Sequence, residues 1–128
     1  AHISEGTALP SGEKISDIKD IIDDKLLGVI LACVSPENFE LNINELKSLN
    51  LPFGFKLNGF KTTKIKEGYT STFLKQKTNP NEFLGKREDL TPKKIAEIAK
   101  NFKNAGATII GGCCETGPSH ILAISKIK

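Results

Sequence analysis

Three short apolar runs in this sequence alternate with helix-like stretches that open on a proline, a long loop separating the second run from its helix. The first run, Leu26-Leu-Gly-Val-Ile-Leu-Ala32, is continuously apolar, as a strand covered on both faces would be. It reaches Cys33, and Ser35-Pro36-Glu37 then supplies an N-cap, a proline at the first helical position and an acid in the first turn. Phe39, Ile43 and Leu46 recur at helical spacing as far as Leu49. The second run, Phe53-Gly-Phe-Lys-Leu57, ends in Asn58-Gly59-Phe60. Thr91-Pro92 then starts a helix with Ile95, Ile98, Ala99 and Phe102 on one face, closed by Gly106. The third run, Thr108-Ile109-Ile110, meets Gly111 and Gly112, and Pro118 opens a last helix carrying Ile121, Leu122, Ile124 and Ile127. Alternation of this kind predicts βαβ units and a parallel sheet.

Less regular stretches flank these units. Residues 1–14 read as loop, with Gly6, Pro10 and Gly12 as punctuation. A helix is expected from Ser16 as N-cap, with Ile18, Ile21 and Ile22 on its apolar side and Asp23-Asp24 at its end. Residues 61–90 are polar and lysine-rich, with Gly68, Asn79, Pro80 and Gly85 inside them. A loop of that length is functional or a surface excursion.

In a right-handed βαβ arrangement every strand's carboxyl end lies on one rim. That rim would collect Cys33, Asn58, Cys113 and Cys114, and so all three cysteines of the chain. Adjacent Cys113 and Cys114 would close a strained disulfide ring and make better metal ligands. Thiolate suits zinc, and three protein ligands leave a fourth place for water or substrate, as in a catalytic site. Both cysteine positions precede helix starts, at Pro36 and Pro118, whose positive ends favour thiolate. A buried cysteine is more often a small hydrophobe, and Cys33 alone would carry little weight. His120 reads as a helix-start histidine rather than a ligand. No Cys-x-x-Cys pair is present, which argues against a zinc ribbon or a thioredoxin-type site. Gly111-Gly112 as a phosphate cradle is a weak signal without Gly-x-Gly-x-x-Gly or a Walker lysine.

Composition narrows the class further. Hydrophobic residues make up 38% and charged ones 26%, as in a globular domain, and no apolar run approaches the roughly 20 residues of a membrane span. The formal charge of +3 is spread along the chain, so no nucleic-acid partner and no membrane partner are expected. Three cysteines with no secretory signature suggest reduced thiols and a cytoplasmic location. The sequence begins at Ala1, contains no methionine and opens as if leaving a strand, so it reads as a fragment.

Gly111-Gly-Cys-Cys-Glu-Thr-Gly-Pro-Ser-His-Ile121 resembles the zinc-binding signature of the homocysteine S-methyltransferases, including betaine–homocysteine methyltransferase. The likeness extends through Ala105-Gly-Ala-Thr-Ile-Ile110, Arg87-Glu-Asp-Leu-Thr-Pro92, Asn58-Gly-Phe60, Pro52-Phe-Gly54 and Cys33-Val-Ser-Pro-Glu37. Ala32, Lys56-Leu57 and Glu115-Thr-Gly-Pro118 depart from the family's commoner residues. The resemblance implies that residues 1–128 are the C-terminal portion, about strands 6–8, of a TIM (β/α)8 barrel. It implies Cys33, Cys113 and Cys114 as ligands of a zinc ion (Zn2+), Asn58 as a substrate-binding residue, and methyl transfer to homocysteine from a sulfonium or quaternary ammonium donor, giving methionine. Three βα units cannot close an eight-stranded barrel, so a missing N-terminal half or a homo-oligomer partner is expected to cover the exposed edges.

Overall fold

A computed structural model of the chain describes residues 6–63 and 80–127. Three strands, β1 (Val29–Val34), β2 (Phe53–Leu57) and β3 (Ile109–Gly112), form one sheet in the order β1-β2-β3. Both pairings are parallel, with Val29 opposite Phe53 and Gly54 opposite Ile109. Three α-helices follow the strands: α1 (Pro36–Ser48), α2 (Pro92–Asn104) and α3 (Pro118–Ile124). The expected α/β alternation with a parallel sheet is therefore present.

The caps read from the sequence form as anticipated. The Ser35 hydroxyl accepts from the Asn38 N–H and the Thr91 hydroxyl from the Lys94 N–H, each at 3.2 Å, with proline in the first turn in both cases. Gly106, at φ +111°, turns the chain out of α2 into β3 in a conformation that side-chain-bearing residues avoid.

Four boundaries differ. β1 starts at Val29, not Leu26, because its pairing begins where the Val29 N–H donates to the Pro52 carbonyl. Upstream of that bond no strand among the described residues pairs with Leu26 or Leu27, and Leu27 is 84% exposed. The helix expected from Ser16 is a short 3-10 stretch, Ile15–Ile21, whose entry is held by the Lys14 N–H on the Asp17 carboxylate. β3 runs on to Gly112, and α3 stops at Ile124 rather than reaching Ile127. Of the long loop, residues 64–79 lie outside the described residues; Pro80–Leu84 form a 3-10 turn.

One face of the sheet is packed. Val29, Leu31, Phe53, Phe55 and Leu57 are buried on it, beneath Phe39 and Leu46 of α1 and Ile95, Ala99 and Phe102 of α2. Phe39 sits at the middle, its ring 4.8 Å from both Phe55 and Phe102, with Phe55 and Phe102 edge-on at 5.5 Å. Such ring pairs add about 0.5–1.5 kcal/mol each beyond burial. The other face carries Ile30, Ala32, Lys56, Ile109 and Gly111, all half-buried or exposed. Gly54 lies between Ile30 and Ile109 on that face. Here a Cβ would sit 1.8 Å from the Ile109 carbonyl oxygen, so the close approach of β2 and β3 demands glycine. Among the described residues no helix is long and apolar enough to cross a membrane.

Candidate metal centre

The carboxyl ends of the three strands form the rim predicted from the alternation, and all three cysteines lie on it. Cys33 is the extra residue of a bulge, since Ala32 pairs with Lys56 while Val34 pairs with the very next residue, Leu57. Its φ of +53° is uncommon for a residue with a side chain, and a bulge with such a conformation re-aims the side chain it carries. Cys113 follows β3 directly, with its N–H donating to the Leu57 carbonyl at 2.7 Å. Cys114 begins the turn into α3.

These placements bring the sulfurs together. Cys33 Sγ and Cys114 Sγ are 3.7 Å apart, Cys113 Sγ and Cys114 Sγ 3.9 Å, and all three lie within 4.8 Å of one another. The spacing is too long for a disulfide, and the three thiols are free. The 3.7 and 3.9 Å separations match the sulfur–sulfur edge of about 3.8 Å that follows from tetrahedral zinc with Zn–S bonds of about 2.3 Å. The donor set is soft and half-buried, and three thiols fit a zinc ion with one place to spare.

The thiols are not electrostatically equivalent. Burial pushes the Cys33 thiol up to about 12, helped by hydrogen bonds to Cys113 and Cys114. Burial also opposes ionisation of Cys113. Hydrogen bonds from Cys33, from the Cys114 backbone and thiol, and the positive charge of Lys56 outweigh it and hold Cys113 below its ordinary value. Of Cys33 and Cys113, the latter therefore gives up its proton first.

Asn58, which the resemblance implied as a substrate contact, is fully buried at 0% exposure. Its Nδ2 donates to the Cys33 carbonyl, and its Oδ1 accepts from the Phe60 N–H at 3.1 Å. His120 is likewise engaged away from the sulfurs: Nδ1 accepts from the Gly117 N–H at 3.1 Å, which leaves Nε2 to donate to the Leu90 carbonyl at 3.0 Å. It tethers the start of α3 to the segment before α2, as the helix-start reading anticipated.

Two residues escaped notice as supports of the centre. The Thr116 hydroxyl donates to the Cys113 carbonyl, in a short-range turn that a threonine three residues after the cysteine could have signalled. Arg87, seen only within a larger likeness, holds Glu37 at 2.7 and 2.8 Å and Asp89 at 2.7 Å through its guanidinium. Its N–H donates to the Gly59 carbonyl at 2.8 Å, so it ties the start of α1 to the loop beside Asn58. That pairing spans 50 residues between Glu37 and Arg87 and has no local signature.

Comparison with known proteins bears directly on this rim. A family model described as homocysteine S-methyltransferase matches residues 1–127. The chain is also 32% identical, over 126 residues, to a Zea mays protein named homocysteine S-methyltransferase 1, an alignment covering 96% of this chain and 35% of that relative. The chain thus spans about a third of the length of the curated relative it matches.

Proposed function

The chain belongs to the homocysteine S-methyltransferase family, and on that premise we propose that it carries the zinc–thiolate centre of an enzyme that methylates homocysteine to methionine. The observation that carries this reading is the meeting of three cysteine sulfurs, all within 4.8 Å of one another, on the rim of a parallel sheet. Cys33, Cys113 and Cys114 would hold the ion. Zinc, when bound, supplies a Lewis acid with a vacant place that acidifies the thiol of homocysteine, so that thiolate exists near neutral pH. In the transfer, the homocysteine sulfur gives an electron pair to the methyl carbon of a sulfonium or quaternary ammonium donor. The bond from that carbon to the donor's heteroatom breaks, and its electron pair stays with the donor, which leaves with one positive charge fewer. This chain's residues would orient the nucleophile: the bulge at Cys33 and the turn at Cys113–Cys114 place the sulfurs that a fourth sulfur would join.

The sheet is best read as strands 6–8 of a (β/α)8 barrel, with residues 1–128 a partial methyltransferase domain. The uncovered face bearing Ile30, Lys56 and Ile109 would then look into the barrel. What supports this is the parallel sheet packed on one face, together with the 35% share of the relative's length. The remaining strands would come from further polypeptide or from a partner chain. A cytoplasmic location suits free thiols that must stay reduced to bind metal.

The test uses the intact protein with homocysteine and, in turn, S-methylmethionine, S-adenosylmethionine and betaine. Zinc-dependent formation of methionine with one of these donors is the expected result. A zinc-loaded protein that methylates homocysteine with none of them would leave a non-catalytic metal-binding module as the better account.

A further inference from the structure

Resting on the zinc reading above, we propose that Asn58 is the positioning residue of the metal centre, setting Cys33 against Cys114 from the end of β2, a strand that bears neither. The backbone carbonyls of all three cysteines are held, and two of the three holds come from Asn58-Gly59. Asn58 Nδ2 donates to the Cys33 carbonyl, and the Gly59 N–H donates to the Cys114 carbonyl at 2.9 Å. The third, that of Cys113, takes the Thr116 hydroxyl from within its own turn.

The Asn58 side chain governs both of the first two. Its Nδ2 fixes the peptide plane that follows Cys33, a residue held at φ +53° where an L side chain is disfavoured. Without that donor the bulge has less to keep it left-handed, and relaxation toward extended backbone would swing the Cα–Cβ bond away from the pair. Its Oδ1 accepts from the Phe60 N–H at 3.1 Å, closing a tight turn of the kind asparagine favours. That turn directs the Gly59 N–H at Cys114, across a gap so narrow that a Cβ on Gly59 would lie 3.0 Å from the Glu115 Cβ. The Asn58 N–H, meanwhile, is anchored to the Val34 carbonyl at 2.9 Å. One buried amide thereby couples Cys33 to Cys114. Buried, with both ends of its amide engaged within the chain, it acts on the reaction through the ligands.

The experiment measures zinc affinity by chelator competition, and the visible spectrum of the cobalt(II)-substituted form, in the intact protein and three variants. Asn58→Asp keeps the shape and the acceptor toward Phe60 but replaces the donor toward Cys33 with an acceptor. Zinc affinity should fall about 10–100-fold, the usual loss when an outer-shell partner of a metal ligand is removed, and the cobalt bands should shift. Asn58→Ser, smaller and uncharged, should fall in the same range. Leu46→Ala, deep under α1, should lower the melting temperature while leaving the affinity and the cobalt spectrum of the folded protein unchanged. Native affinity and spectrum in a folded Asn58 variant would overturn the proposal. So would failure of both Asn58 variants to fold while Leu46→Ala folds, since Asn58 would then serve the fold alone. A parent protein that binds no zinc would instead overturn the functional reading, and this proposal with it.

Discussion

The sulfurs of Cys33 and Cys114 lie 3.7 Å apart although 81 residues separate them in the chain. Two ordinary strand ends would not bring them so close. Cys33 gets there by a bulge, with left-handed backbone, and Cys114 by a turn that the Gly59 N–H reaches across to hold. The sequence between them builds the rest of the sheet, so the centre exists only in the folded chain.

The two glycines before the pair should differ sharply in what they tolerate. A Cβ on Gly111 would meet nothing closer than 3.5 Å, the Lys56 Cγ. On Gly112 it would lie 2.3 Å from the Thr116 hydroxyl oxygen and 2.9 Å from the Ile121 Cδ1. Gly111→Ala should therefore be near neutral, whereas Gly112→Ala should cost about 1–3 kcal/mol, the usual range for overpacking, and weaken metal binding by displacing Thr116. Denaturant unfolding of the two variants, with zinc content measured alongside, checks the contrast.

His120 should prove structural. His120→Ala removes the tether between Gly117 and the Leu90 carbonyl and should cost about 1 kcal/mol, the size of a lost cap or hydrogen bond. Bound zinc should remain that of the parent. Loss of the metal in a folded His120→Ala protein would make the histidine a ligand and contradict the geometry.

The metal-free thiols should react in order. Cys113 sits below its ordinary value and Cys33 far above it, so alkylation at rising pH, read by mass spectrometry, should label Cys113 while Cys33 is still untouched. Cys33 also links stability to pH. Its folded value of about 12 exceeds the ordinary 9.0, so its contribution is fully present below about 9 and is lost as pH climbs to about 12. Melting temperatures of metal-free protein across that window should decline, and a Cys33→Ser variant should decline less. With metal present the direction at the other end is opposite: acid returns protons to the thiolates and releases the ion.

Much of this was legible from local chemistry. Ser35-Pro36 and Thr91-Pro92 mark their helices because caps and proline act over one turn, and the rim follows from strand–helix alternation alone. The start of β1 was not legible, because whether Leu26 joins a strand depends on where Pro52 ends up. Nor was the 3-10 stretch at Ile15–Ile21, where the Asp17 side chain competes for a backbone N–H. Within the site, residue types singled out the three cysteines that the fold brings together. The bulge at Cys33 and the two hydrogen bonds of the Asn58 side chain were hidden, since both depend on a strand register that no single segment encodes.

The most direct measurement is the zinc content of the intact protein and of its Cys33→Ser, Cys113→Ser and Cys114→Ser variants. About one zinc per chain in the parent, and a large loss of affinity in each folded variant, is what three thiolate ligands to one ion require. A parent free of zinc with three freely reacting thiols, or a Cys33→Ser protein that binds the metal as tightly as the parent, would contradict the account.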